Sequence, residues 1–375
     1  MTRWTIATLV MALLAAVAVV IAWTLDPTRT LYGWLVAVYA AYTTAVGALL
    51  LLLLGDATDA VWLPVLRRPV EAIVSALPLL AILFVPILLS LDRVYSWVPG
   101  GLPLAPHDEE LVAAKRAWLN EPFFVVRSAV YLLVPALVGE LVRARSRRIE
   151  RAARQRIGAI GLTIVVPVVT FAGFDWVMSL EPGYYSTAFG LIPATGGFMA
   201  ALAVVIIAIG LAHRRGVLLD AGPDHLHALG KLLLTAVCFW AYLAFFQYML
   251  GWIANLPAEA RWYLPRTTGA WGALAVVLIA LHFAVPFLAL LSRPLKRSAL
   301  ALGVVSAGLL FTHWLDVYWL SLPAIRPRAP AFHVADLASV LAVFCAGFAI
   351  AAWRTARAPS APNPLFERSL RYRSE

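Results

Sequence analysis

The feature that most constrains this chain is a series of ten apolar runs, each close to the length of a membrane-spanning helix. About 20 apolar residues in a helix cross a bilayer core of roughly 30 Å. Charged residues make up only 13% of the chain, against about 25% in soluble domains. The sequence therefore predicts an all-α polytopic membrane protein, with transmembrane helices near 4–24, 31–54, 70–90, 122–142, 157–177, 188–212, 226–252, 268–291, 298–320 and 334–353.

The Lys and Arg residues are unevenly distributed between the two sides of this array. Most of the 30 lie at the two termini and in the loops after the second, fourth, sixth and eighth helices. By the positive-inside rule these segments are cytoplasmic. We therefore expect one integral membrane domain over 1–375, with both termini and the tail 354–375 in the cytoplasm.

The formal net charge of +10 does not by itself indicate a nucleic-acid partner. The densest basic run, 143–156, lies between two predicted spanning helices, where such clusters set topology and attract anionic lipids. We interpret lipid as the partner of this run and expect no nucleic acid. The longest loop, 91–121, has an acidic start and a basic end in its second half, which is typical of a short amphipathic helix on the outer surface.

Several ionisable residues fall inside the predicted spans, where a charge at the helix centre costs roughly 2.5 to 3.5 kcal/mol on insertion scales. Asp175 lies near the outer end of the fifth helix and Arg127 at a similar depth in the fourth, so we expect them to pair. Intramembrane ionisable residues are also the usual members of proton relays. The proton-pathway candidates are Glu71, Glu140, Lys231 and His282 towards the cytoplasm, and Arg127, Asp175, His313 and Asp316 towards the outside, with Asp336 as a further outer carboxylate.

These residues also have simpler interpretations. Glu71 opens the predicted third helix, where the macrodipole favours a carboxylate. One interpretation of the whole set is ion-paired side chains in an anchoring subunit. The other is two proton half-channels, which require an inner and an outer polar cluster separated by an apolar belt.

The residues favour no redox centre or metal site in this chain. Cys238 and Cys345 lie within predicted helices without a partner at ligand spacing, which is typical of small buried hydrophobic residues. His282 is predicted in the inner half of the eighth helix and His313 in the outer half of the ninth, so they are not placed to hold a haem between them. We expect no cofactor to be bound by this chain.

Asp316 lies in a helix with the same predicted orientation as the helix of Asp175, and each is soon followed by a Ser-Leu step before a proline. This similarity indicates a parallel internal repeat.

Two stretches carry a specific resemblance. Asp175-Trp-Val-Met-Ser-Leu-Glu-Pro with Tyr185-Ser-Thr-Ala-Phe-Gly, and Leu229-Gly-Lys-Leu-Leu with the following Phe239-Trp-Ala-Tyr-Leu-Ala-Phe-Phe-Gln-Tyr-Met-Leu-Gly-Trp, resemble the integral membrane subunits of bacterial alternative complex III. Those subunits belong to the polysulfide-reductase-like (NrfD/PsrC) superfamily. The short chain and the ending Asn-Pro-Leu-Phe-Glu-Arg-Ser-Leu are more similar to the smaller of the two subunits of this kind.

The resemblance implies a fold of two four-helix bundles, helices two to five (31–177) and six to nine (188–320), flanked by helices one and ten. It implies a quinol:electron acceptor oxidoreductase of a respiratory or photosynthetic chain in the bacterial cytoplasmic membrane, with menaquinol or ubiquinol as substrate. The implied partners are a larger NrfD-like subunit, an iron–sulfur subunit and haem c subunits, which would hold the clusters and haems.

Four functions remain open at this point. The chain is a cofactor-free subunit that supports quinol oxidation and provides a proton path, or it is purely an anchoring subunit. A third hypothesis is a quinone-binding pocket lined by Asp175, Tyr184 and His313, in which Asp175 or His313 accepts the quinol proton. A secondary transporter is less favoured, because such transporters break their helices at corresponding positions in both halves.

Overall fold

The computed structural model describes residues 3–104, 106–145, 150–214, 221–254, 257–325, 329–356 and 364–374. Within these ranges the chain is helical and contains no strand. Ten helical segments are long and apolar enough to cross a membrane. The prediction of an all-α polytopic protein is therefore confirmed.

The helices follow one another with short connections. Their bounds are α1 Arg3–Leu25, α2 Pro27–Ala57, α3 Leu63–Val74, α4 Leu77–Leu88, α5 Pro106–Ala114, α6 Glu121–Arg145, α7 Arg151–Trp176, α8 Leu191–Arg214, α9 Pro223–Ala254, α10 Pro257–Thr267, α11 Gly269–Leu278, a π-helical segment Ile279–Ala284, α12 Val285–Leu291, α13 Arg293–Arg297, α14 Ala299–Ser321, α15 Val334–Ala356 and α16 Pro364–Leu370. We call the side of this array where α1 begins and α16 lies the terminal face, and the other side the opposite face.

Helix α2 is the centre of the molecule. Its first turn is capped by Asp26, whose side chain accepts a hydrogen bond of 2.9 Å from the backbone N–H of Arg29, and Pro27 supplies a preformed helical φ at the first position. The helix is buried over almost its whole length and packs against α7, α8, α14 and α15. It therefore joins the first set of helices to the second.

The predicted third helix, 70–90, differs from the structure in two ways. The span begins earlier, at Leu63, and it is divided into α3 and α4 at Ser75 and Ala76. Pro78 explains the break, because proline lacks the N–H that a continuous helix would donate to the carbonyl of Val74 and its ring clashes with that carbonyl.

The remaining contacts group the spans laterally. Helix α6 packs against α4 and α7, while α9 packs against α8 and α12, and α14 packs against α8 and α11. Helices α1 and α15 pack against each other, and α15 also packs against α2. The span formed by α3 and α4, the second in the predicted bundle 31–177, is interrupted. Helix α9, the second span in the predicted bundle 188–320, is continuous.

The described part of the carboxyl-terminal tail crosses the terminal face. Ser369 accepts a hydrogen bond of 3.4 Å from the backbone N–H of Val65 through its side chain, and its carbonyl lies 3.1 Å from Nε2 of His225. Further on, the Ser374 hydroxyl lies 2.9 Å from Nδ1 of His227. The tail thus connects α3 with α9. Arg354, which opens the predicted tail 354–375, still belongs to α15, and residues 357–363 lie outside the described ranges.

Candidate functional site

Asp175, at the end of α7, is held by donors from three side chains. Arg127 Nε lies 2.6 Å from Oδ2 of Asp175, and Arg127 Nη2 lies 3.1 Å from Oδ1. Tyr131 donates its hydroxyl to Oδ2 at 2.9 Å, and the indole of Trp118 donates to Oδ1 at 2.9 Å. The predicted pairing of Arg127 with Asp175 is confirmed. Because both oxygens are engaged and the charge is balanced, this carboxylate is stabilised in place.

The guanidinium of Arg127 is itself fully engaged. Its carbon lies 4.1 Å from the ring centre of Trp118 and 4.2 Å from that of Phe123, which are cation–π distances. Nη1 donates to the Trp118 carbonyl at 2.9 Å. Trp118 follows α5, so the predicted surface helix of the long loop packs on its own chain at this point. Lys115 adds a hydrogen bond of 2.6 Å to the Pro182 carbonyl, and burial lowers the pKa of Lys115.

The carboxylates near the terminal face are also ion-paired. Arg67 lies 2.9 Å from Glu71 and 2.6 Å from Asp56. Glu140 pairs with Arg354 at 2.5 Å and with Arg143 at 3.1 Å. The interpretation of Glu71 as a helix-opening residue is wrong, because α3 begins at Leu63 and places Glu71 one turn beyond Arg67.

Lys231 is exposed on α9. The structure therefore presents the predicted cytoplasmic candidates as ion pairs and one surface lysine, with His282 as the exception.

Asp316 on α14 is the buried carboxylate with no cation beside it among the described residues. Only 2% of its surface is exposed, and the indole of Trp240 on α9 donates to Oδ2 at 3.1 Å. Neither a Lys nor an Arg lies within ion-pair distance of Asp316 in the described part of the chain. Burial of an unbalanced carboxylate is costly, so this position differs in kind from Asp175.

His282 and His313 form a buried cluster with Asp316: His313 precedes Asp316 by about one turn of α14, and His282 packs against the same Trp240. His282 Nδ1 lies 2.6 Å from the hydroxyl of Thr312, the residue before His313, and its ring packs edge-on against Trp240 with centroids 4.5 Å apart. The expectation that the two histidines lie in opposite halves of the membrane is wrong. His282 sits in the π-helical segment Ile279–Ala284 near the middle of its span and faces α14 there.

Each of the two imidazoles has one hydrogen-bonded nitrogen. His313 Nε2 lies 3.0 Å from the hydroxyl of Thr43 on α2. Its Nδ1, Nε2 of His282 and the hydroxyl of Tyr39 are buried without a hydrogen bond from the described residues. Buried polar atoms are nearly always hydrogen-bonded, so this cluster retains unused capacity to hold or pass a proton.

A large cavity opens beside this cluster. It has a volume of about 810 Å³ and is lined by Asp316, by Trp240, by Thr267 and by apolar and aromatic side chains, mainly of α9, α10, α11, α14 and the π-helical segment. A second cavity, of about 460 Å³, lies at the opposite face and is lined by Asp108, Glu181 and Arg261 among others. Both cavities are lined by Tyr184 and Trp262.

Tyr184 and Trp262 form the wall between the two cavities. Their rings are stacked with centroids 4.5 Å apart and an interplanar angle of 18°. On the other face of Trp262, the guanidinium carbon of Arg266 lies 3.8 Å from the ring centre. A thin aromatic layer thus separates an apolar cavity among the spans from a polar cavity at the opposite face.

Sequence reasoning missed Arg266 and its partner Glu181. Arg266 lies in α10, a helix that was not predicted, and is fully buried; burial lowers its pKa, and the adjacent Glu181 opposes that effect. Arg266 also donates to the Leu320 carbonyl at 3.0 Å. If the sequence had been interpreted as helical over 257–267, Arg266 would have been predicted beside the spans. The segment is too polar to show the hydropathy pattern of a spanning helix.

The structure does not bring together the three residues of the predicted quinone pocket. Tyr184 lines both cavities, whereas Asp175 and His313 line neither. Asp175 is enclosed by Arg127 and its neighbours, and His313 faces α2. Asp336, the further outer carboxylate, pairs with Arg29 of α2 at 2.5 Å and thereby joins α15 to α2.

No group of three or more His, Cys, Asp or Glu residues in the described ranges is arranged to hold a metal ion. Cys345 is partly buried in α15 while Cys238 is exposed on α9, so the prediction of two buried cysteines is wrong for Cys238, which faces outward at the cavity.

No protein-family model matches this chain, and no curated protein matches its sequence. Fold and site define a multi-pass all-α membrane protein in which, among the described residues, the buried carboxylates are ion-paired except that of Asp316.

Proposed function

We propose that this chain is a cofactor-free membrane subunit of a quinol-oxidising complex of the alternative complex III type, the smaller of its two NrfD/PsrC-like subunits, and that it provides part of a proton path. The observation that supports the path is the buried carboxylate of Asp316, which has no cation beside it among the described residues and shares the contact with Trp240 with His282. Groups of this kind inside a membrane protein are by default functional.

The chemistry of the path is proton exchange between a buried carboxylate and buried imidazoles. Asp316 shares Trp240 with His282, and Thr312 connects His282 to the backbone next to His313. The carboxylate and the two imidazoles can each bind and release a proton. His313 then extends the cluster to α2 through Thr43. In this proposal Asp175 and Arg127 form the fixed framework.

The orientation that we propose follows the distribution of Lys and Arg. The terminal face, with the described parts of the basic run 143–156 and of the tail, is cytoplasmic by the positive-inside rule. The opposite face then looks outward from the bacterial cytoplasmic membrane. The proposed cluster lies between the two faces.

The proposal assigns electron transfer to other subunits. Haem c and iron–sulfur clusters would be held by partner subunits, and menaquinol or ubiquinol would be the substrate of the complex. The larger NrfD-like subunit would be a direct membrane partner.

The decisive variant is Asp316→Asn, which keeps the shape of the side chain and removes its proton exchange. We expect quinol:cytochrome c turnover, or the proton release coupled to it, to fall by about tenfold to a hundredfold in the assembled complex, since positioned proton transfer typically contributes at least that much. The measurement is turnover with simultaneous recording of pH in membranes, after assembly has been checked by native electrophoresis.

The matched control is Glu110→Gln, the same change at an exposed carboxylate of α5, for which we expect wild-type turnover. Wild-type turnover and proton stoichiometry in assembled Asp316→Asn would contradict the proton path.

A specific observation also favours the anchoring alternative. Four of the eight predicted pathway residues are in ion pairs. Arg127 with Asp175 joins α6 to α7, and Glu140 with Arg354 joins α6 to α15. Glu71 pairs with Arg67 of its own helix, α3. If Asp316→Asn assembles and behaves as wild type, this alternative is the function. The transporter hypothesis gains no support, since the break between α3 and α4 has no counterpart in α9.

A further inference from the structure

The 810 Å³ cavity has the properties of a lipid site with one polar anchor. Aromatic and aliphatic side chains make up most of its lining, together with Thr267. Among the described residues, Asp316 is the one carboxylate of the lining, which contains no Lys, Arg or His. An anionic head group would therefore meet a carboxylate and no compensating cation.

The cavity opens sideways, towards the surface that the spans present to lipid. Side chains at its rim are strongly exposed although they are apolar, with Phe245 at 64%, Val276 at 66% and Ile279 at 58%. They lie on spans α9 and α11 and at the start of the π-helical segment. A ligand with a long apolar tail could enter from the bilayer without crossing either face.

Asp316 provides the polar end of the site. Its carboxylate accepts one hydrogen bond, from Trp240, in the described structure, and two carboxylate oxygens can accept about four. A neutral hydroxyl suits this position in either protonation state of Asp316, because it can donate to the carboxylate or accept from the carboxylic acid. An ammonium head would have to lose its hydration in an apolar cavity, which is much more costly.

The backbone next to the cavity is also unusual. The π-helical segment Ile279–Ala284 supplies Ile279 and Phe283 to the lining and carries His282 on its buried side. Single π-helical turns inside α-helices occur frequently at functional sites. Here the π-helical turn contributes Ile279 and Phe283 to the cavity on one side and places the imidazole of His282 in the protein interior on the other.

We propose that this cavity binds an uncharged lipid whose head donates a hydroxyl to Asp316 and whose tail lies along α9 and α11. Hydroquinone rings and glycerol heads share this hydroxyl chemistry. The binding site requires no partner subunit and no electron transfer. Lipid binding can therefore be tested independently of the proposed function.

The test is photoaffinity labelling of the full chain in lipid nanodiscs. Four probes carry the same diazirine-bearing alkyl chain and differ only in the head: a hydroquinone, a monoacylglycerol, a phosphate monoester and a trimethylammonium. We expect the hydroquinone, the monoacylglycerol or both to label peptides of α9 or α11 saturably. Labelling by the hydroquinone alone identifies a ring lipid, by the monoacylglycerol alone a glycerolipid, and by both a general hydroxyl site. Saturable labelling that is as strong or stronger with the phosphate or the ammonium probe overturns the proposal.

Two variants of neighbouring alanines on α11 make the test specific to the cavity. Ala275 lines the cavity, whereas Ala273 is exposed and does not. We expect Ala275→Phe to reduce saturable labelling at least fivefold and Ala273→Phe to leave it unchanged. Equal labelling in the two variants overturns the proposal.

A further variant, Asp316→Leu, removes the hydrogen-bond acceptor. We expect it to raise the probe concentration that gives half-saturation by about tenfold or more, as for loss of a hydrogen bond to a charged group. Unchanged half-saturation in folded Asp316→Leu would show that Asp316 does not anchor the head and would overturn the proposal. The alanine pair remains decisive if this variant fails to fold.

Discussion

Two buried carboxylates, Asp175 and Asp316, show how differently one residue type can be used within a single chain. Both accept a hydrogen bond from a tryptophan indole, at 2.9 Å from Trp118 and at 3.1 Å from Trp240. Arg127 and Tyr131 complete the shell of Asp175, whereas no cation reaches Asp316 in the described structure. The first carboxylate is therefore a fixed structural charge, and the second remains able to respond to a proton or a ligand.

At this scale we predict the effect of removing the cation from Asp175. Arg127→Met keeps much of the side-chain volume but leaves Asp175 buried without its partner, and breaking a buried ion pair in this way costs about 3–5 kcal/mol. We therefore expect a large loss of stability. The measurement is the midpoint of thermal or denaturant unfolding of the purified protein in detergent.

The control for this prediction is the double variant Arg127→Met with Asp175→Leu. Replacing both members of a buried ion pair by apolar residues is often close to neutral, so the double variant should recover a large part of the loss. A double variant that is less stable than the single one would show that the pair itself, and not the unpaired charge, carries the stability.

At the scale of helices, the close approach of α2 and α8 joins the two groups of spans. A Cβ placed on Gly47 would lie 2.5 Å from the carbonyl oxygen of Gly197, closer than real contacts allow. Small residues at such crossings let backbones approach closely inside a membrane. This contact also sets the distance over which His313 of α14 reaches Thr43 of α2.

Gly47→Ala should force α2 and α8 apart, because the opposing atom is backbone and cannot turn aside. We expect a loss of about 1–3 kcal/mol, as for overpacking in a tight core, measured as a lowered unfolding midpoint in detergent.

Gly303→Ala on α14 is the matched control, since a Cβ there meets nothing within 4 Å. In that helix interior alanine should be neutral or stabilising by about 0.5–1 kcal/mol. Equal effects of Gly47→Ala and Gly303→Ala would mean that the crossing is not tight.

At the scale of the whole molecule, the described tail residues 364–374 connect helices that are far apart in the chain. Their buried contacts run from Val65 to His225 and His227. Exposed arginines add longer ion pairs, with Arg368 at 3.6 Å from Asp59 and Arg373 at 3.5 Å from Asp224. Exposed ion pairs of this kind contribute little in water.

We therefore predict that deletion of residues 364–375 lowers the unfolding midpoint through loss of the buried hydrogen bonds, by about 1–3 kcal/mol in total. Arg373→Ala, which removes only an exposed charge, should leave the midpoint within error. The two variants are compared by thermal unfolding at low and high salt. A deletion that destabilises only at low salt would instead assign the role of the tail to its arginines.

Much of the fold was predictable from the sequence, and the candidate site only in part. Hydropathy located all ten spans, although Pro78 divides the third and the π-helical segment interrupts the eighth. Similar depth was enough to pair Arg127 with Asp175. The predicted depth of His282 was wrong. Position along one helix does not show which residues of other helices lie at the same level, and the neighbours of His282, Trp240 and Thr312, come from other helices.

The sequence by itself determined the number of spans and the helical class, because a backbone in a membrane must satisfy its hydrogen bonds within each segment, which makes every span a local property of its own residues. Only the tertiary structure decided which carboxylate is left without a cation and where a cavity opens. Those outcomes depend on which helices lie side by side: Arg127 reaches Asp175 because α6 packs against α7. At Asp316 the neighbouring helices instead supply Trp240 and an apolar cavity.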